Sequence, residues 1–222
     1  MWKSIIYKEW LKVRWYLIAA TLLLGIFVSY MFINVQHTIA FMQANNYWNV
    51  IVFRKEQYFH LIKYLPLLIG IGIAIAQYVP EIIQKRIKLS FHLPNNENKI
   101  ILTMMGFGNL SLLACFSIVF LIFVGLSNYF FPYEIVNEAI VTILPWFIGG
   151  LAGYSLVSLI VLEPIWKYKM FYMVVAALFI PIYYESGVSG AFEPINFKLT
   201  IIALLISVSL LFSAYRFRKG EM

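Results

Sequence analysis

Long apolar runs broken by short polar stretches organise the chain: residues 15–34, 60–79, 99–131, 139–162, 169–185 and 198–215 are rich in Leu, Ile, Phe, Val and Ala. Each run is continuous rather than alternating. A helix of about 20 apolar residues crosses a hydrocarbon core roughly 30 Å thick, whereas a barrel strand alternates and is about half as long. The pattern predicts an all-α integral membrane protein with six transmembrane helices in one domain, 1–222. Small residues recur in two of the runs, Gly70 and Gly72 in the second and Gly149 and Gly153 in the fourth. Such spacing lets helices approach closely and predicts packing contacts there.

The polar stretches carry the topology. With the N-terminus placed in the cytoplasm, 13 of the 17 basic residues fall on the inner side. Because Lys and Arg favour the cytoplasmic side, this predicts both termini inside. The segments 35–59 and 186–197 then lie outside, the first a continuation of spans one and two that turns near Asn45 and Asn46. The net charge of +7 is accounted for by this sidedness and does not call for nucleic acid.

Composition narrows the class. The chain is 62% hydrophobic and 12% charged over 222 residues, and all ten of its acidic residues are glutamate. A soluble domain with a polar shell is excluded, and six spans leave no length for a large soluble domain. Cys115 is the single cysteine, which predicts a packed thiol rather than a disulfide or a metal ligand. His37 and His60, in the outer segment, lack neighbouring metal-binding residues and read as ordinary interface residues. The apolar centres of the runs contain no ionisable side chain, which argues against an ion- or proton-coupled pump.

The first residues, "MWKSIIYKEWLKVRW", form a charged lead without a small-residue cleavage site, so the first span is expected to be retained. As a helix, residues 1–14 put Trp2, Ile6, Trp10 and Val13 on one stripe, with Ser4, Lys8, Glu9 and Lys12 facing away. That predicts an interfacial elbow helix anchored by Trp2, Ile6 and Trp10. A longer first span is the plainer alternative.

One polar island stands out. Between Pro80 and Pro94 runs "PEIIQKRIKLSFHLP", and six charges and one histidine fall within residues 81–99. Proline is tolerated in the first turn of a helix, and Glu81 there complements the dipole. Glu81, Lys85, Lys88 and His92 then share one face, while Ile83, Ile87 and Phe91 share another. Pro94 ends the helix, and Asn95 or Asn96 can cap the next span. The reading is an amphipathic cytoplasmic helix, 80–94, with its charged face offered to a cytosolic partner; a solvated loop that only marks the inner side is the alternative.

No catalytic constellation accompanies it. The sequence has no GxxxxGK[ST], no HExxH and no paired carboxylates on a shared membrane-proximal face, and "GFGNLS" at 106–111 lacks the lysine of a phosphate loop. The chain is expected not to be an enzyme and to hold no cofactor or metal.

An interfacial helix before span one, six spans and the "PEIIQKRIKLSFHLP" segment between spans two and three together resemble the permease subunits of type-2 (ABC-2, exporter-class) ABC transporters, in a compact Bacteroides-like form. The resemblance covers nearly the whole chain. It implies that 80–94 is a coupling helix that docks on a separate ATPase subunit holding ATP and Mg, through Glu81, Lys85, Arg86, Lys88, His92 and Pro94, with Leu93 completing the Leu-Pro step. It also implies a second permease copy or a sibling permease, residence in the bacterial inner membrane, and short re-entrant helices outside at 181–197. The lengthened outer region, 35–62, departs from the family pattern, so substrate class is not carried over. A membrane scaffold that recruits a cytosolic partner without transport is the competing reading.

Overall fold

The computed structural model describes residues 2–83, 97–185, 192 and 194–219, with side chains for 3–83, 99–185, 192 and 194–209. Every regular element among them is helical: α1 (Trp2–Met42), α2 (Ala44–Arg54), α3 (Leu65–Ile83), α4 (Glu97–Phe130), α5 (Tyr133–Leu162), α6 (Trp166–Phe179) and α7 (Asn196–Lys219). Two 3-10 turns, His60–Ile62 and Ile180–Tyr183, precede α3 and follow α6.

Four helical segments are long and apolar enough to cross a membrane, Lys3–Met42, His60–Ile83, Lys99–Phe130 and Tyr133–Leu162. The fifth and sixth expected spans are less complete. The α6 helix has 14 residues before its 3-10 turn, and the apolar part of α7 with described side chains covers Asn196–Ser209.

The centre of the bundle is α5. In its most apolar window 67% of the residues are buried, against 33% in α1 and in α4. Around it pack α3, α4, α6 and α7, and α1 closes the bundle against α3 and α4. The outer faces are themselves apolar, as Leu22, Ile26 and Ile33 on α1 and Leu121 on α4 are each more than 60% exposed. Apolar side chains pointing outward all along long helices suit a lipid surround, not water.

Glycine brings α3 and α5 together. A Cβ on Gly70 would run into the backbone carbonyl of Gly150, and one on Gly150 would come within 2.7 Å of the Pro66 carbonyl oxygen. Gly153 faces Leu67, and Gly149 lies against Tyr183 and Tyr184. Gly72 differs: its Cβ position is open, with nothing within 4 Å.

Proline inside a helix frees a carbonyl, and the fold supplies one replacement donor. Pro145 has no N–H to give to the Val141 carbonyl, and the Asn196 side chain donates to that oxygen instead at 3.1 Å. Tyr184 donates to the Trp146 carbonyl at 2.9 Å, fixing the turn after α6 to the same stretch of α5.

Two expectations change here. The elbow is absent as a separate element, because α1 runs unbroken from Trp2 to Met42. At 1.5 Å per residue it is about 61 Å long, roughly twice the hydrocarbon thickness. Its buried stripe, Val13, Leu17, Ala20, Leu24, Val28, Met31 and Val35, extends one turn further back to Glu9, so the first two turns already belong to the bundle. Likewise Pro80 does not begin a new helix, since α3 continues through it to Ile83. Residues 84–94 of the expected coupling helix lie outside the described residues, as do 186–191 of the outer segment after α6.

Past α1 the chain turns at Gln43, whose φ of 66° is rare outside glycine, and Lys55 closes α2 in the left-handed conformation. Lys55 pairs with Glu138 at 2.8 Å, and Tyr58 stacks on Phe123 and Phe131 while Phe59 meets Phe123 edge to face. His60 lies 3.1 Å, Nδ1 to oxygen, from the Gln57 carbonyl, and His37 packs on Phe41.

Candidate functional site: a buried ion cluster at one end of the bundle

The start of α1 and the close of α3 meet at the same end of the molecule and share charge. Glu81 is fully buried, and its Oε1 lies 2.9 Å from Lys8 Nζ and 2.9 Å from Lys12 Nζ. Lys12 also reaches Glu9 Oε1 at 2.6 Å, and Glu9 is fully buried as well. Among the described residues two carboxylates and two ammonium groups balance here, the condition under which charge withdraws from water without a prohibitive desolvation penalty.

Gln77 carries the cluster deeper. Its amide Nε2 donates to Glu9 Oε2 at 3.0 Å and to the Met104 carbonyl at 2.9 Å. Its Oε1 accepts from the Tyr154 hydroxyl at 2.7 Å, and Tyr78 and Tyr154 bring their hydroxyls to 3.3 Å. The continuous path Lys8–Glu81–Lys12–Glu9–Gln77–Tyr154–Tyr78 therefore joins α1, α3 and α5, and Met104 adds α4. Four helices are fixed to one another through a single polar thread.

The helical repeat explains the placement. On α3, Ile69, Ile73, Gln77 and Glu81 succeed one another at i+4 on the buried face, and on α1 Glu9, Val13 and Leu17 do the same. Both helices end their apolar stripes with polar residues at the same depth, so the stripes that build the core also bring the charges into register. On α4, Gly108 leaves the necessary space: a Cβ there would meet the Tyr154 hydroxyl and come within 2.6 Å of Gln77 Oε1. The "GFGNLS" stretch thus has a packing reason for its second glycine.

The expected site residues distribute unevenly. Glu81 is sequestered among α1 lysines and is not displayed to the cytosol, a correction that follows from α3 continuing in phase through Pro80. Lys85, Arg86, Lys88, His92, Leu93 and Pro94 lie outside the described residues. Ile6 and Trp10 are 42% and 44% exposed on the outward face of α1, and the side chain of Trp2 is outside the described set. The charged face of residues 4–12, expected to face away from a membrane-inserted stripe of Trp2, Ile6, Trp10 and Val13, turns into the bundle at Glu9 and Lys12, and Val13 is buried beside them on the core stripe. No protein-family model, curated protein or solved structure matches the chain. Among the described residues no group of His, Cys, Asp or Glu is placed to hold a metal ion. Cys115 is buried, with its sulfur 3.3 Å from the Thr21 hydroxyl.

Lys8, Glu9, Lys12, Gln77, Tyr154 and Gly108 were not singled out for this site by the sequence. For Glu9 and Gln77 a signal existed: extending the i+4 ladder of Val13–Leu17 backward and of Ile69–Ile73 forward places both on the core face. Tyr154 and Gly108 had none, because their roles depend on which helices become neighbours.

Proposed function

We propose that the chain is the membrane-spanning subunit of an ATP-driven transporter of the exporter class, working with a separate ATPase subunit and with a second copy of itself or a sibling permease. In this reading it crosses the bacterial inner membrane six times, α6 and α7 supplying the last two crossings, and both termini lie in the cytoplasm. The observation that carries the proposal is the cluster's position. Glu81 stands three residues before segment 84–94, where the sequence resembles a coupling helix, and it is ion-paired to α1 and linked through Gln77 to α4 and α5.

Buried pairs resist separation because each leaves an uncompensated charge when it opens. A displacement imposed on 84–94 by a nucleotide-driven partner would therefore move the starts of α1 and α4 and the close of α5 as a group. The role assigned to Glu81 shifts accordingly, from a docking residue to a transmitting one, leaving Lys85, Arg86, Lys88 and His92 as the docking candidates.

The test is purification of the tagged chain from its native membrane. An ATP-hydrolysing subunit should co-purify, and its hydrolysis in proteoliposomes should depend on the chain. Lys85→Ala with Arg86→Ala should lower that dependence strongly, while Lys167→Ala with Lys169→Ala should leave it. Hydrolysis indifferent to the membrane subunit would favour the scaffold reading instead. Orientation is checked separately, with Cys115 buried and so a quiet background. Cysteines at positions 46 and 189 should react with an impermeant thiol reagent in intact cells, and one at position 84 only after permeabilisation. Labelling at 84 in intact cells would reverse the topology.

A further inference from the structure

Between α1 and α4, on the outer surface of the bundle, runs a groove of about 670 Å³. Ile6, Trp10 and Leu17 form one wall, and Gly106, Leu110 and Ile118 form the other. It extends alongside residues 6–21 of α1 and 103–118 of α4, about 22 Å at 1.5 Å per residue. That length matches one leaflet counted with its headgroup region, about 20–22 Å, half of the roughly 40–45 Å bilayer. Its Thr21 and Thr103 hydroxyls are spent on their own helices, donating to the Leu17 and Lys99 carbonyls at 2.7 Å each, so that apart from Ser111 the walls act as hydrocarbon.

The mouth is different in character. One turn before Ile6 on α1 stands Lys3, and one turn before Thr103 on α4 stands Lys99, both exposed. A cationic mouth leading into an apolar trough one leaflet deep matches a molecule with an anionic head and an extended hydrocarbon tail. We propose that this groove is a binding site for one anionic phospholipid of the leaflet on the α1 N-terminal side, its phosphate near Lys3 and Lys99 and an acyl chain along Trp10, Gly106 and Leu110.

A second copy of the chain fits the groove less well. A two-fold pair would set the same patch against itself and bring Lys3 and Lys99 towards their own counterparts, a like-charge contact at the point where the groove opens. Nor does the proposal depend on ATP-driven transport, because none of the ion-cluster residues lines the groove.

The experiment uses the full chain exchanged into vesicles of equal phosphatidylglycerol and phosphatidylethanolamine, extracted gently and weighed by native mass spectrometry. One phosphatidylglycerol per chain should be retained, preferred by about 25-fold, roughly fivefold for each lysine. Lys3→Gln with Lys99→Gln should equalise the two lipids and keep one bound. Gly106→Phe should remove both lipids; its Cβ position has nothing within 4 Å, so the ring enters the groove and not the protein's own packing. Leu110→Trp fills the same trough from an exposed position and serves if Gly106→Phe does not fold. Gly72→Phe, another glycine with open surroundings, should keep the lipid. Equal retention of the two lipids by the unaltered chain overturns the proposal. So does lipid persisting in the filled variants, lipid lost in Gly72→Phe, or a two-chain mass that Gly106→Phe abolishes.

Discussion

Glu81→Ala should cost about 3–5 kcal/mol of folding stability, the range for breaking a buried ion pair by removing one partner. The carboxylate is fully buried and receives two ammonium groups on one oxygen, so its loss strands Lys12 beside Glu9 alone and leaves Lys8 without this partner. The lysines should rank behind it. The Lys12 side chain is 13% exposed and touches both carboxylates, whereas Lys8 is 36% exposed and touches Glu81, which keeps Lys12 when Lys8 is removed. Lys8→Ala should therefore fall near the value for partly exposed pairs, about 0–1 kcal/mol. Unfolding of the reconstituted chain in mixed lipid–detergent discs provides the measurement. A cost for Glu81→Ala below about 1 kcal/mol would mean that the carboxylate faces solvent, as an amphipathic helix beginning at Pro80 would have it.

The same expectation bears on transport. If the chain works with an ATPase as proposed, loss of activity in Glu81→Ala would mix lost coupling with lost assembly, because the proposed transmission would run through a residue that ties α3 to α1. Lys85 and Arg86 provide the test of the two, since they follow Glu81 in the segment whose sequence resembles a docking helix. A pair of variants with intact stability but indifferent hydrolysis would isolate the contact between subunits from the thread inside one subunit.

The four long apolar helices, Lys3–Met42, His60–Ile83, Lys99–Phe130 and Tyr133–Leu162, are legible in the sequence because hydropathy integrates over some twenty residues and is insensitive to small errors of phase. Helix ends were less so, for a specific reason at each. The first helix looked divisible near residue 14, where charges give way to an apolar run, yet Glu9 continues the Val13–Leu17 stripe and the helix does not break. Pro80 looked like a beginning, but a proline within a membrane helix is tolerated when neighbouring helices hold both sides in place, and Tyr78 and Glu81 are buried on either side of it. A helix beginning at Pro80 would break the phase that links Ile73, Gln77 and Glu81 on the buried face. The cluster was invisible as a unit because its members come from residues 8–12, 77–81, 104 and 154, and a single sequence does not say that these segments meet.

Gly70→Ala and Gly72→Ala should behave oppositely although they lie two residues apart on α3. At Gly70 a methyl group would overlap the Gly150 carbonyl and come within 3.3 Å of the Tyr154 backbone nitrogen, and backbone cannot move aside as a flexible side chain can. The helices must separate, with a cost of about 1–3 kcal/mol typical of overpacking, and close approach is the source of attraction between helices in lipid. At Gly72 the methyl group meets open space, and replacing a helical glycine by alanine should stabilise by roughly 0.5–1 kcal/mol. Gly150→Ala should resemble Gly70→Ala, because its Cβ would approach the Pro66 carbonyl oxygen to 2.7 Å across the same seam. The Gly70→Ala, Gly150→Ala double variant should cost less than the sum, since helices already parted by one methyl group accommodate the second more easily. Tyr154 lies on this seam too, so widening it should loosen the hydroxyl's 2.7 Å hydrogen bond to Gln77 and carry the disturbance into the ion cluster. Equal costs at positions 70 and 72, measured by the same unfolding experiment, would place the α3–α5 contact elsewhere on α3 and detach the cluster from it.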